Sequence, residues 1–302
     1  MPLNMEDSPL PIALFADENI LAGLHVTLYS ALANWGSASP MEIHLFHDHL
    51  DPADLFFLEE TLQHTGKPFT FHERGVSVDQ FKNCKSLHAN WMTYGRLLLP
   101  ELMPESPCVI YLDSDLIVNL SLTALGGFLP ALRDFALGAV SLTTFEWSLD
   151  CALCRELGLD PAAKSFNAGV LLLNLEKWRS EHLTEKCVSF AGKHALQTVD
   201  QGALNFVFYN AFLQLPGRFN VELYASSAPV SPEGKICHFV GSPKPFDFLG
   251  NLFSNHYKMF RSVMNRTAYS HWRVNSMRQA LRRRNLALLK SYGKALKEKF
   301  RK

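Results

Sequence analysis

The sequence predicts an α/β fold: a doubly wound sheet flanked by helices, followed by a basic helical tail. Three observations carry that reading. Short apolar runs of strand length alternate with helical periodicity through the first third of the chain. The chain has 302 residues, 47% of them hydrophobic, which is enough for a large core and too apolar for disorder. Its charge is segregated. The net formal charge is zero, yet residues 271–302 hold eleven Lys or Arg against the single acid Glu298, which leaves residues 1–270 at −10.

The elements follow in order. Residues 11–16 form a first strand, ending at Asp17, Glu18 and Asn19. Residues 20–35 carry a helical pattern through Leu21, Leu24, Leu28 and Leu32. Residues 41–47 alternate as a strand, and Asp51 or Asp54 is placed to cap a helix through Leu55, Leu58 and Leu62. Residues 69–71 are a third strand. Residues 90–99 read as a helix stopped by Pro100, 109–112 and 135–142 as strands, and 167–174 as a strongly apolar strand. Residues 176–191 are helical, and Asp200 with Gln201 opens a helix through Leu204, Phe208 and Phe212. After Pro216 the pattern weakens into turns. From Arg273 apolar residues recur at helical multiples among basic ones, a basic amphipathic helix or two helices broken near Gly293. The strand-helix-strand-helix-strand start lacks a Gly-rich dinucleotide fingerprint, and the chain holds no P-loop.

Asp113 and Asp115 are the sharpest chemical signal. They sit between two apolar runs, at the C-terminal end of the 109–112 strand, where open α/β sheets place ligands. Two acids one residue apart repel, and a cation relieves that cost. Hard oxygen ligands suit Mg²⁺ or Mn²⁺ carrying a phosphorylated substrate. A polar turn capping the next element is the plain alternative. Each further candidate has one too: His238 as a core histidine, Lys244 as a solvated loop lysine, Asp200 as a helix N-cap, Asn167 as a strand cap, and Arg96 as a partner of Glu101. The six cysteines show no framework spacing, and Cys151 with Cys154 lacks the second pair of a zinc ribbon. With no signal peptide and no apolar run of transmembrane length, a reducing cytoplasmic location is the default.

Taken together and in order, several segments resemble glycosyltransferase family 8, the retaining sugar transferases that include lipopolysaccharide galactosyl- and glucosyltransferases and glycogenin. They are Asp17 to Asn19, Thr93 to Arg96, Leu112 to Asp115, Phe166 to Val170 running on to Trp178 and Arg179, Asp200 with Gln201 and Asn205, Arg218 to Asn220, and His238 to Pro245. The resemblance covers residues 11–247. It implies a GT-A fold, Rossmann-like with a mixed nucleotide-binding sheet, over a catalytic domain at 1–250 with a basic helical extension at 251–302. It implies a UDP-hexose donor and Mn²⁺, with Mg²⁺ possible. Asp113, Asp115 and His238 would hold the metal. Lys244 and Gly241 would meet the diphosphate, with Ser114 and Asp113 beside it. Ala16, Asp17 and Asn19 would hold the nucleoside. Arg96, Asn167, Asp200 and Gln201 would contact the hexose, with Gln201 and Asp200 as the catalytic pair.

The implied acceptor is a glycan or glycolipid such as lipopolysaccharide core. The basic tail points to an anionic membrane surface, hence a peripheral position on the inner face of the cytoplasmic membrane. Nucleic acid is excluded as a partner, because the body is acidic and carries no nucleic-acid motif. Two departures bear on substrate detail: Ile20 stands where an aromatic often follows Asp-x-Asn, and Phe246 where Trp usually follows Lys-Pro. The competing readings are a haloacid-dehalogenase-type phosphohydrolase, with Asp113 as nucleophile, and a non-catalytic sugar-nucleotide-binding relative.

Overall fold

The computed structural model describes residues 10–86, 91–274, 288 and 291–293. In chain order these form β1 (Ile12–Ala16), α1 (Leu21–Ala33), β2 (Met41–His47), α2 (Pro52–Gln63), β3 (Phe69–Gly75), α3 (Leu99–Leu102), β4 (Cys108–Leu112), β5 (Leu116–Val118), α4 (Leu129–Leu132) and β6 (Leu137–Thr144). Then come α5 (Cys151–Glu156), β7 (Lys164–Asn174), α6 (Leu175–Ser180), α7 (Leu183–Lys193), α8 (Val199–Val207), β8 (Leu213–Gln214), β9 (Val221–Leu223), β10 (Ile236–Phe239), α9 (Gly250–Phe253) and α10 (Tyr257–Met264).

The main sheet has seven strands in the order β3-β2-β1-β4-β7-β6-β8. β3, β2, β1 and β4 are parallel, and β7 runs antiparallel to both β4 and β6. α1 and α2 bury Leu24, Leu28, Leu58 and Leu62 against one face. The other face is covered by α6, α7 and α8 through Trp178, Leu183, Val199 and Leu204. Because both faces are covered, the central strands read as unbroken apolar runs rather than alternating ones.

A second sheet, β5-β10-β9, packs beside α1. The outer edge of β5 would expose unpaired backbone groups. α1 supplies the partners from its side chains. Thr27 Oγ1 accepts from Leu116 N (2.9 Å) and donates to Leu116 O (3.1 Å), Ser30 Oγ accepts from Val118 N (3.0 Å), and Asn34 Nδ2 donates to Val118 O (2.9 Å). This explains polar residues on a helix that is buried along most of its length.

Several sequence expectations change. The segment after Trp91 is a 3₁₀ helix, Met92–Leu98, and it runs into α3 instead of stopping at Pro100. Pro100 lies in the first turn of α3, where its missing N–H has no intrahelical partner to lose. Residue 90 lies outside the described residues. The helix expected over 176–191 is two helices, broken at His182, whose φ of 53° is left-handed. Phe212 lies beyond the end of α8. The apolar run after Asp115 is the strand β5, and turns were expected where β9 forms. α2 starts at Pro52 after Asp51, whose side chain makes no cap bond. The expected boundary at residue 250 falls at the start of α9. Phe260, Met264, Trp272 and Val274 share a core with Val26, Phe239 and Phe246. The expected basic helix beyond residue 274 lies almost wholly outside the described residues. None of the described helices is long and apolar enough to cross a membrane.

Candidate active site

The chain leaves β1 for β2 and β3 on one side, and β4 lies on the other. Where strand order reverses in this way, the loops at the carboxyl ends part and leave a crevice. Asp17 follows β1 and Asp113 follows β4. Here opens a cavity of about 480 Å³, lined by every residue that the sequence analysis singled out for the site.

At the β1 end of the cavity, Ala16 closes the strand. Asp17 Oδ1 accepts from Asn19 N (2.9 Å) and Oδ2 from Asn19 Nδ2 (2.8 Å), a side-chain turn that turns the loop into the cavity. Asn19 Oδ1 is buried with no hydrogen bond among the described residues. Ser114 Oγ donates to Phe15 O (2.9 Å), so its hydroxyl ties the acidic loop to β1.

His238 arrives from β10, which pairs with β5 so that His238 lies opposite Leu116, one residue after Asp115. A chain of hydrogen bonds sets its tautomer. Gly169 N donates to Asn167 Oδ1 (2.9 Å), which marks that atom as the oxygen. Asn220 Nδ2 donates to the same oxygen (2.9 Å), so Asn220 Oδ1 faces His238 Nδ1 (3.1 Å) as an acceptor. His238 therefore donates through Nδ1 and, when neutral, carries a lone pair on Nε2. That lone pair faces Asp115 Oδ1 at 3.1 Å and Asp113 Oδ2 at 3.7 Å. Asp115 Oδ1 is buried and, among the described residues, without a hydrogen bond.

One donor atom from each of Asp113, Asp115 and His238 lies within 4.8 Å of the others. Three lone-pair donors converging in a buried place, one of them orphaned, fit a divalent cation. The Nδ1 bond to Asn220 is the outer support that a ligating histidine needs. Gly169 makes room for it: a Cβ there would lie 2.2 Å from His238 Cε1. Lys244 Nζ sits 2.6 Å from Asp115 Oδ2 and also donates to Phe239 O. Burial works to raise the Asp115 pKa, but the Lys244 ammonium and His238 outweigh it and hold the carboxyl well below the usual range. Gly241, at φ +70°, turns the chain between His238 and Lys244.

At the other end Arg96 is the organiser. It is fully buried over the Tyr111 ring (4.4 Å), with Nη2 on Asp113 Oδ1 (2.9 Å) and Nη1 donating to Ala168 O. Its Nε lies 2.9 Å from Asp200 Oδ2, but the N–H is aimed at Thr93 O (3.0 Å). Among the described residues, Asp200 Oδ2 is thus a buried acceptor without a directed hydrogen bond. Burial pushes the Asp200 pKa up to about 6 against the Arg96 charge, and Asp113 adds to the rise. For Arg96, burial opposes the charge and the two carboxylates more than offset it, so it stays a cation. The Glu101 pairing considered from sequence is not the one found.

Asp200 sits in the first turn of α8, after the N-cap Thr198 rather than as the cap itself. Gln201 Oε1 accepts from Ala168 N (3.2 Å). Asn205 clamps α8 to β7 by accepting from Phe166 N (2.7 Å) and donating to Phe166 O (2.8 Å). The β6–β7 register shifts at Val140, opposite Asn167, and the irregular strand aims its polar residues into the cavity.

Sequence reasoning missed Asn220 as the holder of His238, although Arg218 to Asn220 was visible as a segment. It also missed the rim. Trp147 is 81% exposed and Leu149 75%, and both line the cavity mouth. No periodicity marks them, because they lie on the loop between β6 and α5. All six cysteines are free thiols.

The fold and site define a class, a glycosyltransferase. The model of glycosyl transferase family 8 matches residues 11–249, and the chain belongs to that family. General stress protein A of Bacillus subtilis is 25% identical over 263 residues, 80% of this chain and 89% of that protein. The lipopolysaccharide 1,3-galactosyltransferase of Salmonella typhimurium is 25% identical over 280 residues, 86% of this chain and 79% of that one. The crystal structure of the galactosyltransferase LgtC in complex with donor and acceptor sugar analogs superposes with a TM-score of 0.69 at 25% identity, covering 85% of this chain and 96% of that one. The fold is therefore GT-A, as the resemblance implied. The phosphohydrolase reading falls with the family assignment, and Asp113 follows the fourth strand, not the first.

Proposed function

We propose that the protein is a retaining, metal-dependent hexosyltransferase that moves galactose or glucose from a UDP-sugar to a glycan or glycolipid acceptor, lipopolysaccharide core being the best fit. The observation that carries this is the His238 Nε2 lone pair turned on two carboxylates at one end of a cavity whose other end holds an unsatisfied buried carboxylate oxygen. The first needs a cation and the second a hydroxyl donor. A nucleotide sugar carried by a metal supplies both.

Asp113, Asp115 and His238 would hold the ion, and one imidazole among oxygens favours Mn²⁺ over Mg²⁺. When bound, it neutralises charge on the departing diphosphate. Lys244 adds a point charge for the same diphosphate, and Asn19 Oδ1 offers an acceptor for a base N–H. Arg96 holds Asp113 and Asp200 in fixed relation, so the sugar and diphosphate subsites are rigidly linked. Asp200 Oδ2 takes a hexose hydroxyl. Gln201 lies beside it and stabilises the positive charge that grows at the anomeric carbon. A carboxamide is a poor nucleophile and Asp200 is pinned by Arg96. Retention then proceeds on the front face, with a donor phosphate oxygen taking the acceptor proton. Trp147 and Leu149 at the mouth offer an apolar platform to the acceptor. The similarity to a lipopolysaccharide galactosyltransferase supports that acceptor class.

The basic segment 271–302 supports a peripheral membrane position, since each basic residue near an anionic leaflet contributes about 1 kcal/mol. Equal co-sedimentation of full-length and 1–274 protein, which keeps the core residues Trp272 and Val274, with anionic vesicles would remove that part of the reading. The central test is UDP release from UDP-Glc, UDP-Gal, UDP-GlcNAc and UDP-Xyl with Mn²⁺, compared with Asp115→Ala. Turnover should fall by roughly 10²–10³ in the variant, as for loss of a preorganised electrostatic contact. Near-normal turnover in Asp115→Ala, insensitive to chelator, would sink the assignment.

A further inference from the structure

We infer that Glu42, His44 and His72 form a second metal site, away from the cavity, selective for a borderline transition-metal ion of the Zn²⁺ type. β2 and β3 pair in parallel with Glu42 opposite Thr70 and His44 opposite His72. Residues two apart on a strand share a face. Ile43 and Leu45 take the face covered by α1 and α2, so Glu42, His44 and His72 project from the other. The two imidazoles stack with centroids 4.8 Å apart and 26° between planes, and Glu42 Oε1 lies 2.7 Å from His44 Nε2. Each of the three residues offers a donor atom, all within 4.8 Å of one another, the same criterion met by the Asp113 group.

The Glu42–His44 ion pair and the ring stack leave the His72 nitrogens without a hydrogen bond among the described residues. A chelate uses all three. Two imidazoles and one carboxylate suit Zn²⁺, Cu²⁺ or Ni²⁺, whereas Mg²⁺ and Ca²⁺ prefer oxygen alone. His72 is solvent-exposed and Glu42 half-buried, which leaves positions for water on the ion. The inner wall is rigid: buried Phe46 stacks on Phe15 (5.0 Å) and lies beside His44 (6.4 Å). Arg74, opposite Phe46, is the same-face cation one pair further along. β3 is the edge strand of the main sheet, so the ion would cross-link that edge to β2. The site is independent of the sugar-transfer reading and predicts no change in transfer rate.

The experiment counts zinc by equilibrium dialysis on the untagged full chain, with Co²⁺ absorption as the signature of imidazole ligation. His44→Gln with His72→Gln should lose one equivalent that Asp115→Asn retains, and Glu42→Gln, which keeps a hydrogen bond to His44, should weaken that equivalent about tenfold. Zinc at a hundred times its Kd should raise the thermal midpoint of Asp115→Asn by about 4 °C, a shift absent when the two histidines are also replaced. The double-histidine variant should keep wild-type sugar-transfer activity, which certifies its fold. Zinc stoichiometry unchanged by loss of both histidines overturns the site, as does an absence of bound zinc at about 0.1 mM free ion.

Discussion

Gly169→Ala adds a single methyl and removes no ligand, and it presses chiefly on the His238 ring, with Asn167 Oδ1 at 3.0 Å the next neighbour. The new Cβ would sit 2.2 Å from His238 Cε1 and 2.5 Å from Nδ1, where ordinary contact starts at 3.4 Å. The ring must retreat by roughly 1 Å, and it is boxed in by Asn220 and Asp115. A displacement of that size at a reacting centre costs about 10²-fold in rate. Overpacking of the core costs about 1–3 kcal/mol, which for a chain of 302 residues lowers the thermal midpoint by about 2–5 °C. The assay is hexose transfer as a function of Mn²⁺, alongside thermal melts. The expected result is a rightward shift in metal dependence and a fall in rate, both larger than the modest loss of stability explains. Gly138→Ala on β6 is the control, because its Cβ would meet nothing closer than 3.5 Å. Unchanged metal dependence and rate in Gly169→Ala would refute the account of His238.

Three other perturbations read different parts of the molecule. Asp200→Asn keeps the shape but exchanges the Arg96-paired carboxylate for an amide; steady-state kinetics should show kcat reduced by about 10²-fold, with far less change in the metal required for half-maximal rate. Trp147→Ala should raise the acceptor KM about five- to tenfold, from roughly 1 kcal/mol of lost apolar burial, and leave donor hydrolysis and the melting midpoint unchanged. His25 is buried between α1, α2 and Tyr269, with Nδ1 on Thr61 Oγ1 (2.7 Å), and burial, helped by His271, pushes its pKa down to about 3. A depressed histidine pKa contributes stability that is present above pH 6.5 and lost as pH falls toward 3, about 5 kcal/mol at most. His25→Gln should therefore flatten the fall in urea midpoint over that window, and parallel pH curves for the two proteins would disprove it.

Legibility differed from element to element for physical reasons. β1, β4 and the 168–173 stretch of β7 were readable because both faces of the main sheet are covered there and those residues are apolar throughout, whereas β2 was readable by its alternation. The carboxyl ends of β1 and β4 were readable because chemistry interrupts them at Asp17 and Asp113, while β7, expected from Asn167, begins three residues earlier at Lys164. β5 and β9 were not, since three residues carry too little pattern to separate a strand from a turn. The break at His182 was hidden by continuous helical periodicity on both sides. Nothing local to Thr27, Ser30 and Asn34 of α1 shows that they bond the backbone of β5.

By itself the sequence determined the fold class, the order of the strands that end in acids, and the polar residues of the inner cavity wall, though not its rim. Those features depend on local period and on residue type, which the chain carries at each position. Tertiary structure alone decided how they meet. It carried His238 across on β10 to face Asp115, chose its tautomer through Asn220 and Asn167, and gave Arg96 two carboxylates instead of Glu101. It also left Trp147 bare at the mouth. Each of these is a contact between segments far apart in the chain, set by packing and by the need to pair buried polar groups, and no local pattern records which distant partner will be present.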